Sequence, residues 1–322
     1  PMKILITGGF GFLGSRLAEH FIHQGYSVTL ASRSTRKLNK NLSGAKTYKV
    51  DWKNEENLIE MVKNQDVVIH AAGVNAKNCV NNPEEANSFN ANATKKLAQI
   101  SEALEIKKFL FLSSIHVYSS QLEGVITEES ETSNMHPYAS SNLAGEQFIK
   151  QLDASNPMKA YILRLSNNFG YPAFLDSNSW SLVVNELCLQ AIMNKEMVIN
   201  GSGSDLRDFL PITALCNILD DFLSGHISSS LNTSVYNICS SASLSILEVS
   251  EKIQFLCQKE FGFKPSIILN KPLAEESISD FTIESHLKNL LKFNFAELFD
   301  AEILRLLKFC QLNKKSLNLS MS

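Results

Sequence analysis

The chain has 322 residues, of which 44% are hydrophobic and 20% charged, and its formal net charge is −3 at pH 7. This is the composition of a globular protein with room for one large α/β domain and a smaller lobe, and it lacks the basic excess of nucleic-acid-binding proteins. The six cysteines are scattered without a CxxC or Cys/His cluster, which argues against a metal site and a disulfide framework. No apolar run has the length of a signal peptide or a membrane span, so we expect a cytoplasmic protein with reduced thiols.

Short apolar runs rich in β-branched residues alternate with helix-length segments through residue 165. Such alternation predicts right-handed βαβ units and a parallel, doubly wound sheet. The predicted strands are Lys3–Ile6, Ser27–Ala31, Lys46–Val50, Val67–His70, Phe109–Leu112 and Ala160–Leu165. The predicted helices between them cover 13–24, 55–64, 84–104 and 140–153.

After residue 165 the alternation ends, and most remaining segments have helical periodicity. A polar loop over 167–179 leads to an apolar helix at Trp180–Met193, and one more strand is predicted at Val235–Ile238. The residues from Asn313 onward are predicted to form a frayed polar tail. Further helices are predicted at 213–224, 245–260, 282–291 and 299–309.

These elements predict an α/β protein with two domains. The first is a doubly wound parallel Rossmann domain over 1–165, joined by parts of 206–240. The second is a smaller, mostly helical C-terminal lobe over 166–322, which is expected to bind the substrate.

The first predicted strand ends in a glycine-rich turn that opens a helix. From Thr7 the sequence reads TGGFGFLG, which satisfies Gly-x-Gly-x-x-Gly from Gly9. Glycine permits the tight turn, the approach of the backbone to a pyrophosphate and the close packing of helix on strand. A plain turn is the alternative, but the position at the start of a βαβ unit favours a dinucleotide site. The expected cofactor contacts are Gly8, Gly11, Phe12, Leu13 and Gly14.

The end of the second strand indicates which nicotinamide cofactor binds. An NAD site has an acidic residue there, which accepts hydrogen bonds from the adenine ribose. Here the strand runs into Ser32 and Arg33, with Arg36 and Lys37 just beyond. A guanidinium and a hydroxyl suit a 2′-phosphate, so the sequence predicts NADP; a solvated basic turn is the alternative.

Seven motifs occur in an order that resembles a known family. They read TGGFGFLG from Thr7, DW from Asp51, HAAG from His70, NANAT from Asn90, LSSIHVY from Leu112, LRLSNNFG from Leu163, and GSG with RDF from Gly201 and Arg207. Together they are similar to the extended short-chain dehydrogenase/reductases, the sugar-nucleotide epimerase/dehydratase group. The resemblance covers nearly the whole chain, densely to about residue 170.

The resemblance implies further cofactor contacts. Asp51, with Trp52 beside it, falls where the family binds the adenine amino group, and Asn90 opens the core of a long helix. The backbone of Leu165 is expected near the nicotinamide. The segment expected beneath the adenosine and pyrophosphate contains Ala71, Ala72 and Gly73. His70, at the strand end, is interpreted as a structural histidine.

The resemblance also implies catalytic and substrate-binding residues. Ser114, three residues before Val117, matches the family's catalytic serine. Asn167 is expected to touch the substrate, and Arg207 to meet a substrate diphosphate. His116, two residues after Ser114, is expected beside the substrate.

The catalytic signature Tyr-x-x-x-Lys of this family is changed in this chain. It reads Tyr138-Ala139-Ser140-Ser141-Asn142, so Asn142 stands where the family has lysine. Residues four apart share a helix face, and a lysine there bonds the nicotinamide ribose and lowers the pKa of the phenol. Asn142 supplies only the hydrogen bond, and Tyr138 and Asn142 are both expected to contact the cofactor as well as to act in catalysis. At an effective dielectric near 20, loss of an ammonium at ~5 Å removes ~3 kcal/mol, or about two pKa units.

Three explanations for the change remain open. Tyr138 acts as a neutral proton donor, which suits carbonyl reduction; His116 carries the proton instead; or the protein binds NADP without turnover, as a regulator or scaffold. The presence of both Tyr138 and Ser114 favours a working site.

The substrate and the assembly are predicted from the resemblance. The C-terminal lobe implies a sugar or nucleotide-linked sugar, but Leu210–Ala214 lacks the family's acidic pair, and Glu275 and Glu276 stand where a second arginine often occurs. The helices at 84–104 and 140–153 resemble those that pair in family dimers, which predicts a homodimer. The apolar candidates for that interface are Leu97, Ile100, Leu104, Phe148 and Leu152, which equally suit packing on the sheet.

Overall fold

A computed structural model describes residues 1–73, 81–84, 88–152, 155–227, 234–271 and 280–321. The chain divides into two compact units. Unit 1 comprises Pro1–Gln121, Glu128–Leu165 and Leu219–Asn237, and unit 2 comprises Leu122–Thr127, Ser166–Ile218 and Ile238–Ser322. That residues 1–165 bind the cofactor and 166–322 the substrate stays a prediction.

The strands of the described chain are numbered in sequence order. They are β1 (Lys3–Thr7), β2 (Ser27–Ser32), β3 (Lys46–Lys49), β4 (Val67–His70), β5 (Lys108–Ser114), β6 (Gly124–Ile126), β7 (Lys159–Leu165), β8 (Asn167–Phe169), β9 (Glu196–Ile199), β10 (Leu206–Pro211), β11 (Val235–Ile238), β12 (Ser243–Ser245), β13 (Ser266–Leu269) and β14 (Phe281–Ile283).

The helices are numbered in the same way. They are α1 (Phe12–His23), α2 (Glu55–Val62), α3 (Thr94–Ala103), α4 (Pro137–Lys150), α5 (Val183–Asn194), α6 (Ile212–Ser224), α7 (Ile246–Phe261), α8 (Phe295–Leu312) and α9 (Lys314–Met321). A π-helical turn over Ser88–Ala93 leads into α3, and 3₁₀ turns occur at Lys40–Leu42, Ile115–Val117 and Asn178–Ser181.

A seven-stranded sheet has the order β11-β7-β5-β4-β1-β2-β3. In this order, each pair of neighbouring strands between β7 and β3 is parallel. Apart from the exposed Lys3, strands β1 and β4 consist of buried, mostly apolar residues, as expected where helices cover both faces of a parallel sheet. The predicted doubly wound α/β fold is therefore confirmed. The chain reverses its direction across the sheet between β1 and β4, where such folds bind ligands at the carboxyl ends of the strands.

The described part of unit 2 contains three small sheets and a core of its own. Strand β10 lies between β8 and β12, β13 pairs with β9, and β14 pairs with β6. Its core includes residues of α5, α7 and α8, among them the free cysteines Cys188, Cys257 and Cys310. Burial raises the pKa of the Cys257 and Cys310 thiols to about 12, so both stay protonated. Cys79 lies outside the described residues.

Two predictions about the C-terminal region are wrong. The helix expected at 282–291 is absent from the described chain; Phe281–Ile283 is a strand paired in parallel with Gly124–Ile126. Partners so distant in sequence leave no local pattern. The tail from Asn313 is not frayed, because residues Lys314–Met321 form a helix and Leu317 is fully buried.

Residues 85–87, near the start of the predicted helix at 84–104, lie outside the described residues. Leu97 is fully buried against the sheet, so it does not belong to an exposed interface. Ile100 is partly exposed and 38% of Leu104 is exposed. Among the described residues, none of the helices has both the length and the apolar character needed to span a membrane.

Candidate functional site

The glycine turn is enforced by close backbone contacts. Gly8 has a φ of 66°, in the left-handed region that favours glycine, and a Cβ there would lie 2.8 Å from the Ala71 carbonyl oxygen. A Cβ on Gly14 would collide with the Gly8 carbonyl oxygen. The N–H of Gly11 donates to that same oxygen at 2.9 Å, which closes the turn.

The turn leads directly to the N-terminus of α1. Gly11 is the N-cap, and no side chain caps the helix. The first N–H groups of a helix lack intrahelical partners, so those of Phe12 and Leu13 are oriented to receive an anion. The first turn contains no acidic residue that would repel one. The turn therefore fits the pyrophosphate of a dinucleotide.

A buried chain of hydrogen bonds lies behind the turn. The Thr94 hydroxyl donates to the Asn90 carbonyl at 2.5 Å, so Thr94 Oγ1 accepts from His70 Nε2 at 3.0 Å. Nδ1 of His70 is then unprotonated and accepts from the Thr7 hydroxyl at 2.7 Å. Thr7 Oγ1 in turn accepts from the Ala72 N–H at 3.3 Å. These directions define a neutral Nε2–H histidine, which suits the structural role predicted for His70.

Acidification should destabilise the protein through His70. Burial lowers the pKa of His70 from 6.5 to about 3, so the unfolded chain binds the extra proton first as the pH falls. The contribution of His70 to the free energy of unfolding is complete above pH 6.5. It falls by about 1.4 kcal/mol per pH unit below that, so that about 2 kcal/mol is lost at pH 5. Denaturant unfolding of wild type and His70→Gln at pH 7 and pH 5 measures the difference. His226→Gln, at an exposed histidine, is the control; an unchanged pH dependence in His70→Gln would contradict the assignment.

A second set of hydrogen bonds links the π-helical turn to the start of α4. Asn90 is buried, and its Nδ2 donates to Ser141 Oγ at 3.0 Å. Ser141 Oγ donates to the Tyr138 carbonyl at 3.0 Å, and Asn142 Nδ2 donates to the same carbonyl at 2.8 Å. The Tyr138 N–H donates to His136 Nδ1 at 3.2 Å. The backbone of Tyr138 is thus held on both sides.

Ser114 and Leu165 end neighbouring strands in register. They are partners in the parallel pair β5–β7, and both are buried. Ser114 Oγ accepts from the His116 N–H at 3.2 Å, which caps the 3₁₀ turn that follows, and His116 is exposed. The carboxyl edge of the sheet therefore holds predicted residues from several strands, as ligand-binding α/β sheets do.

The preceding residue, Ser113, belongs to a buried ion pair. Arg164 Nη2 lies 2.6 Å from Glu146 Oε2, and Arg164 Nε donates to both oxygens of that carboxylate. Ser113 Oγ donates to Glu146 Oε1 at 2.6 Å. The Arg164 guanidinium lies over the Tyr118 ring at 4.7 Å, and Tyr118 is buried. This group ties α4 to β5 and β7.

The residues predicted for the adenine end also lie close together, with one addition. The Trp52 ring meets the Phe89 ring edge-on at 5.4 Å, and the guanidinium carbon of Arg33 lies 5.8 Å from the Phe89 centroid. Asp51 is exposed, and its Oδ1 accepts from the Lys53 N–H at 3.0 Å. Ser32 is half-buried at the end of β2. The sequence prediction missed Phe89, whose one signal was an aromatic residue next to Asn90.

In unit 2, Asn167 and Arg207 lie on paired strands. Asn167 is the register partner of Phe209, and its Nδ2 donates to the Asp208 carbonyl at 2.9 Å. The Asp208 carboxylate is buried and accepts from Ser166 Oγ at 2.6 Å, while burial raises its pKa. Arg207 is half-exposed beside it. The structure therefore brings these two predicted residues to one small sheet.

A glycine-lined helix N-terminus at the switch point of a doubly wound sheet is the arrangement of dinucleotide-binding Rossmann proteins. The sequence profile of the NAD dependent epimerase/dehydratase family matches residues 4–239. The chain belongs to that family.

Relatives with different activities match similar lengths of the chain. A UDP-glucose 4-epimerase of Dictyostelium discoideum is 27% identical over 293 residues, covering 81% of this chain and 83% of that protein. A dTDP-glucose 4,6-dehydratase of Streptomyces niveus is 23% identical over 273 residues, covering 80% and 78%. The solved structure of a UDP-N-acetylglucosamine 4-epimerase from Methanobrevibacter ruminantium M1, in complex with UDP-N-acetylmuramic acid, has a TM-score of 0.78 at 22% identity. That likeness spans 98% of this chain and 99% of that one, and it concerns the fold.

Proposed function

We propose that the protein is an NADP(H)-dependent oxidoreductase or epimerase acting on a carbonyl or hydroxyl of a sugar or nucleotide-linked sugar. The observation that carries the proposal is the joint presence of Ser114 and Leu165 at the end of a parallel strand pair and of Tyr138 in the first turn of α4. When bound, the nicotinamide supplies or takes up a hydride.

In this proposal Ser114 and Tyr138 polarise the reacting oxygen of the substrate, and Tyr138 exchanges the proton. Asn142 is buried and already donates one amide hydrogen to the Tyr138 carbonyl. Its second amide hydrogen would serve the nicotinamide ribose. Because Asn142 replaces the family's lysine, we expect the phenol to stay neutral near pH 7, which favours carbonyl reduction over alcohol oxidation.

Although the family is named for NAD, the choice of NADP over NAD rests on Ser32 and Arg33. We expect NADP(H) to bind at least about tenfold more tightly than NAD(H), a difference of ~1.4 kcal/mol. Arg33→Asp should reverse the order, because it removes the cation and adds a repelling carboxylate. Calorimetric titration of both cofactors measures this. Lys37→Asp makes the same charge change nearby and should keep the order; equal affinities in the wild type would refute the preference.

For the substrate, Asn167 and Arg207 are the proposed contacts, and a half-exposed guanidinium suits a diphosphate. Leu210–Ala214, without an acidic pair, departs from the family, and Glu275 and Glu276 lie outside the described residues. A thermal-shift screen of nucleotide sugars with NADP present tests the substrate class, since a ligand that binds the native state raises its melting temperature.

A second candidate function is an NADP-binding regulator or scaffold with little turnover. It is favoured by Asn142, which replaces the family's lysine and is hydrogen-bonded within its own helix. Reduction of a carbonyl substrate by NADPH separates the two functions. In either case we propose a cytoplasmic homodimer, with Ile100, Leu104, Phe148 and Leu152 as the remaining interface candidates because Leu97 is fully buried.

A further inference from the structure

Phe89 connects the exposed Arg33 to the core of unit 1. The guanidinium carbon of Arg33 lies 5.8 Å from the centroid of the Phe89 ring. Phe89 belongs to the π-helical turn Ser88–Ala93, whereas Arg33 follows β2, so the contact joins two segments distant in sequence. It is a cation–π contact, in which the face of an aromatic ring attracts a cation within about 6 Å.

The Phe89 ring is itself held in place. The Trp52 ring meets it edge-on at 5.4 Å and 85°, and Trp52 packs against the hydrophobic core of unit 1. The Trp52 ring also lies 5.8 Å from the buried ring of His70. The contacts that support Arg33 therefore run from the protein surface through Phe89 and Trp52 to the buried, hydrogen-bonded His70.

An exposed arginine without such support samples many rotamers, and binding a phosphate in one geometry costs the entropy of fixing it. A guanidinium that is already held in place loses less conformational entropy when a phosphate binds. The neutral Phe89 ring offers a phosphate no charge and no hydrogen bond, so its contact with Arg33 is the direct route by which it can affect phosphate binding.

We propose that Phe89 is a positioning residue that increases the selectivity for NADP(H) over NAD(H) by holding Arg33 where the 2′-phosphate binds. The proposal rests on the NADP preference of the proposed function. Because NAD has no 2′-phosphate, Phe89 favours one cofactor and is neutral toward the other.

The test is calorimetric titration of Phe89→Leu with NADP⁺ and with NAD⁺. Loss of the ring should weaken NADP⁺ binding about two- to fivefold and leave NAD⁺ binding unchanged. Phe89→Tyr keeps the ring and should retain the wild-type ratio of the two affinities. Phe263→Leu removes an aromatic ring that Lys195 covers at 5.3 Å in unit 2, and serves as the matched control with both affinities unchanged.

A double-mutant cycle identifies Arg33 as the intermediary. In an Arg33→Ala background, Phe89→Leu should have no further effect on NADP⁺ binding, because the coupling is lost with the guanidinium. Equal losses of NAD⁺ and NADP⁺ affinity in Phe89→Leu would instead make Phe89 part of the adenine pocket and overturn the proposal. Full additivity of the effects of Phe89→Leu and Arg33→Ala on NADP⁺ binding would also overturn the proposal. Failure of the proposed function has a different signature, since the wild type would then show no preference for NADP⁺.

Discussion

Tyr138→Phe is expected to lower turnover about a hundredfold or more in both directions, because in the proposed function the Tyr138 phenol exchanges a proton with the substrate. The Tyr138 backbone is held by His136, Ser141 and Asn142 through hydrogen bonds that the phenol does not make. The variant should therefore fold and bind NADP(H) as the wild type does, and the loss should appear in kcat. Initial rates with NADPH and a carbonyl substrate found in the nucleotide-sugar screen measure it.

The matched control is Tyr48→Phe, which removes a hydroxyl that donates to the Asn57 carbonyl at 3.0 Å. It should cost roughly 1 kcal/mol of stability and no activity. Unchanged turnover in Tyr138→Phe would show that another group exchanges the proton, and His116 is then the first candidate. Firm NADP binding with no turnover of any substrate would favour the scaffold function.

Asn142→Lys provides the companion measurement. A restored ammonium should stabilise the phenolate and move the pH profile of the oxidative direction down by one to two units, about 1.4–2.7 kcal/mol. In the wild type, that direction should strengthen only well above pH 8, where the neutral phenol begins to ionise. An unmoved profile would mean that Tyr138 is not the titrating group.

Glu146→Ala is expected to reduce the free energy of unfolding by about 3–5 kcal/mol, because it leaves the buried Arg164 charge without its partner. The carboxylate is fully buried, and it accepts from both Arg164 and Ser113. This cost is a large fraction of the ~5–15 kcal/mol by which a native domain is stable. Denaturant unfolding curves measure it.

The double variant Glu146→Leu/Arg164→Met keeps that prediction testable even if Glu146→Ala does not fold. Apolar residues of similar size often replace a buried ion pair without loss, so the double variant should recover most of the stability. Asp300→Ala removes an exposed ion pair with Lys252 and should cost less than about 1 kcal/mol. A small loss in Glu146→Ala would show that water reaches Arg164.

Most strands and helices of the first 165 residues were predictable because their signals are local, although the strand Gly124–Ile126, which pairs with Phe281–Ile283, was not predicted. The glycine turn from Gly8 to Gly14 follows one strand and opens one helix, so nearby sequence determines it. By contrast, the paired strands Glu196–Ile199 and Ser266–Leu269 lie outside the βαβ alternation, and neither was predicted. Each is too short for a periodic pattern of its own, and each takes its conformation from its partner.

The residues of the candidate site likewise divide into those that a local motif predicts and those that only the structure reveals. Ser114, Tyr138 and Asn142 were found because the family motif fixes their spacing along the chain. Phe89 was not found, since its contact with Arg33 depends on a π-helical turn that hydrophobic periodicity does not reveal. The direction of the hydrogen bonds through His70 required atomic positions as well.

The adjacent serines at the end of β5 constrain how this strand can evolve. Successive residues of a strand point to opposite faces of the sheet, so Ser113 reaches Glu146 while Ser114 caps the next turn. Deleting one residue upstream in β5 would move Ser114 into the place of Ser113 and put Ile115 where Ser114 had been. The buried carboxylate would keep a hydroxyl partner, so the deletion would keep a serine beside the ion pair and remove the serine proposed for catalysis in a single step.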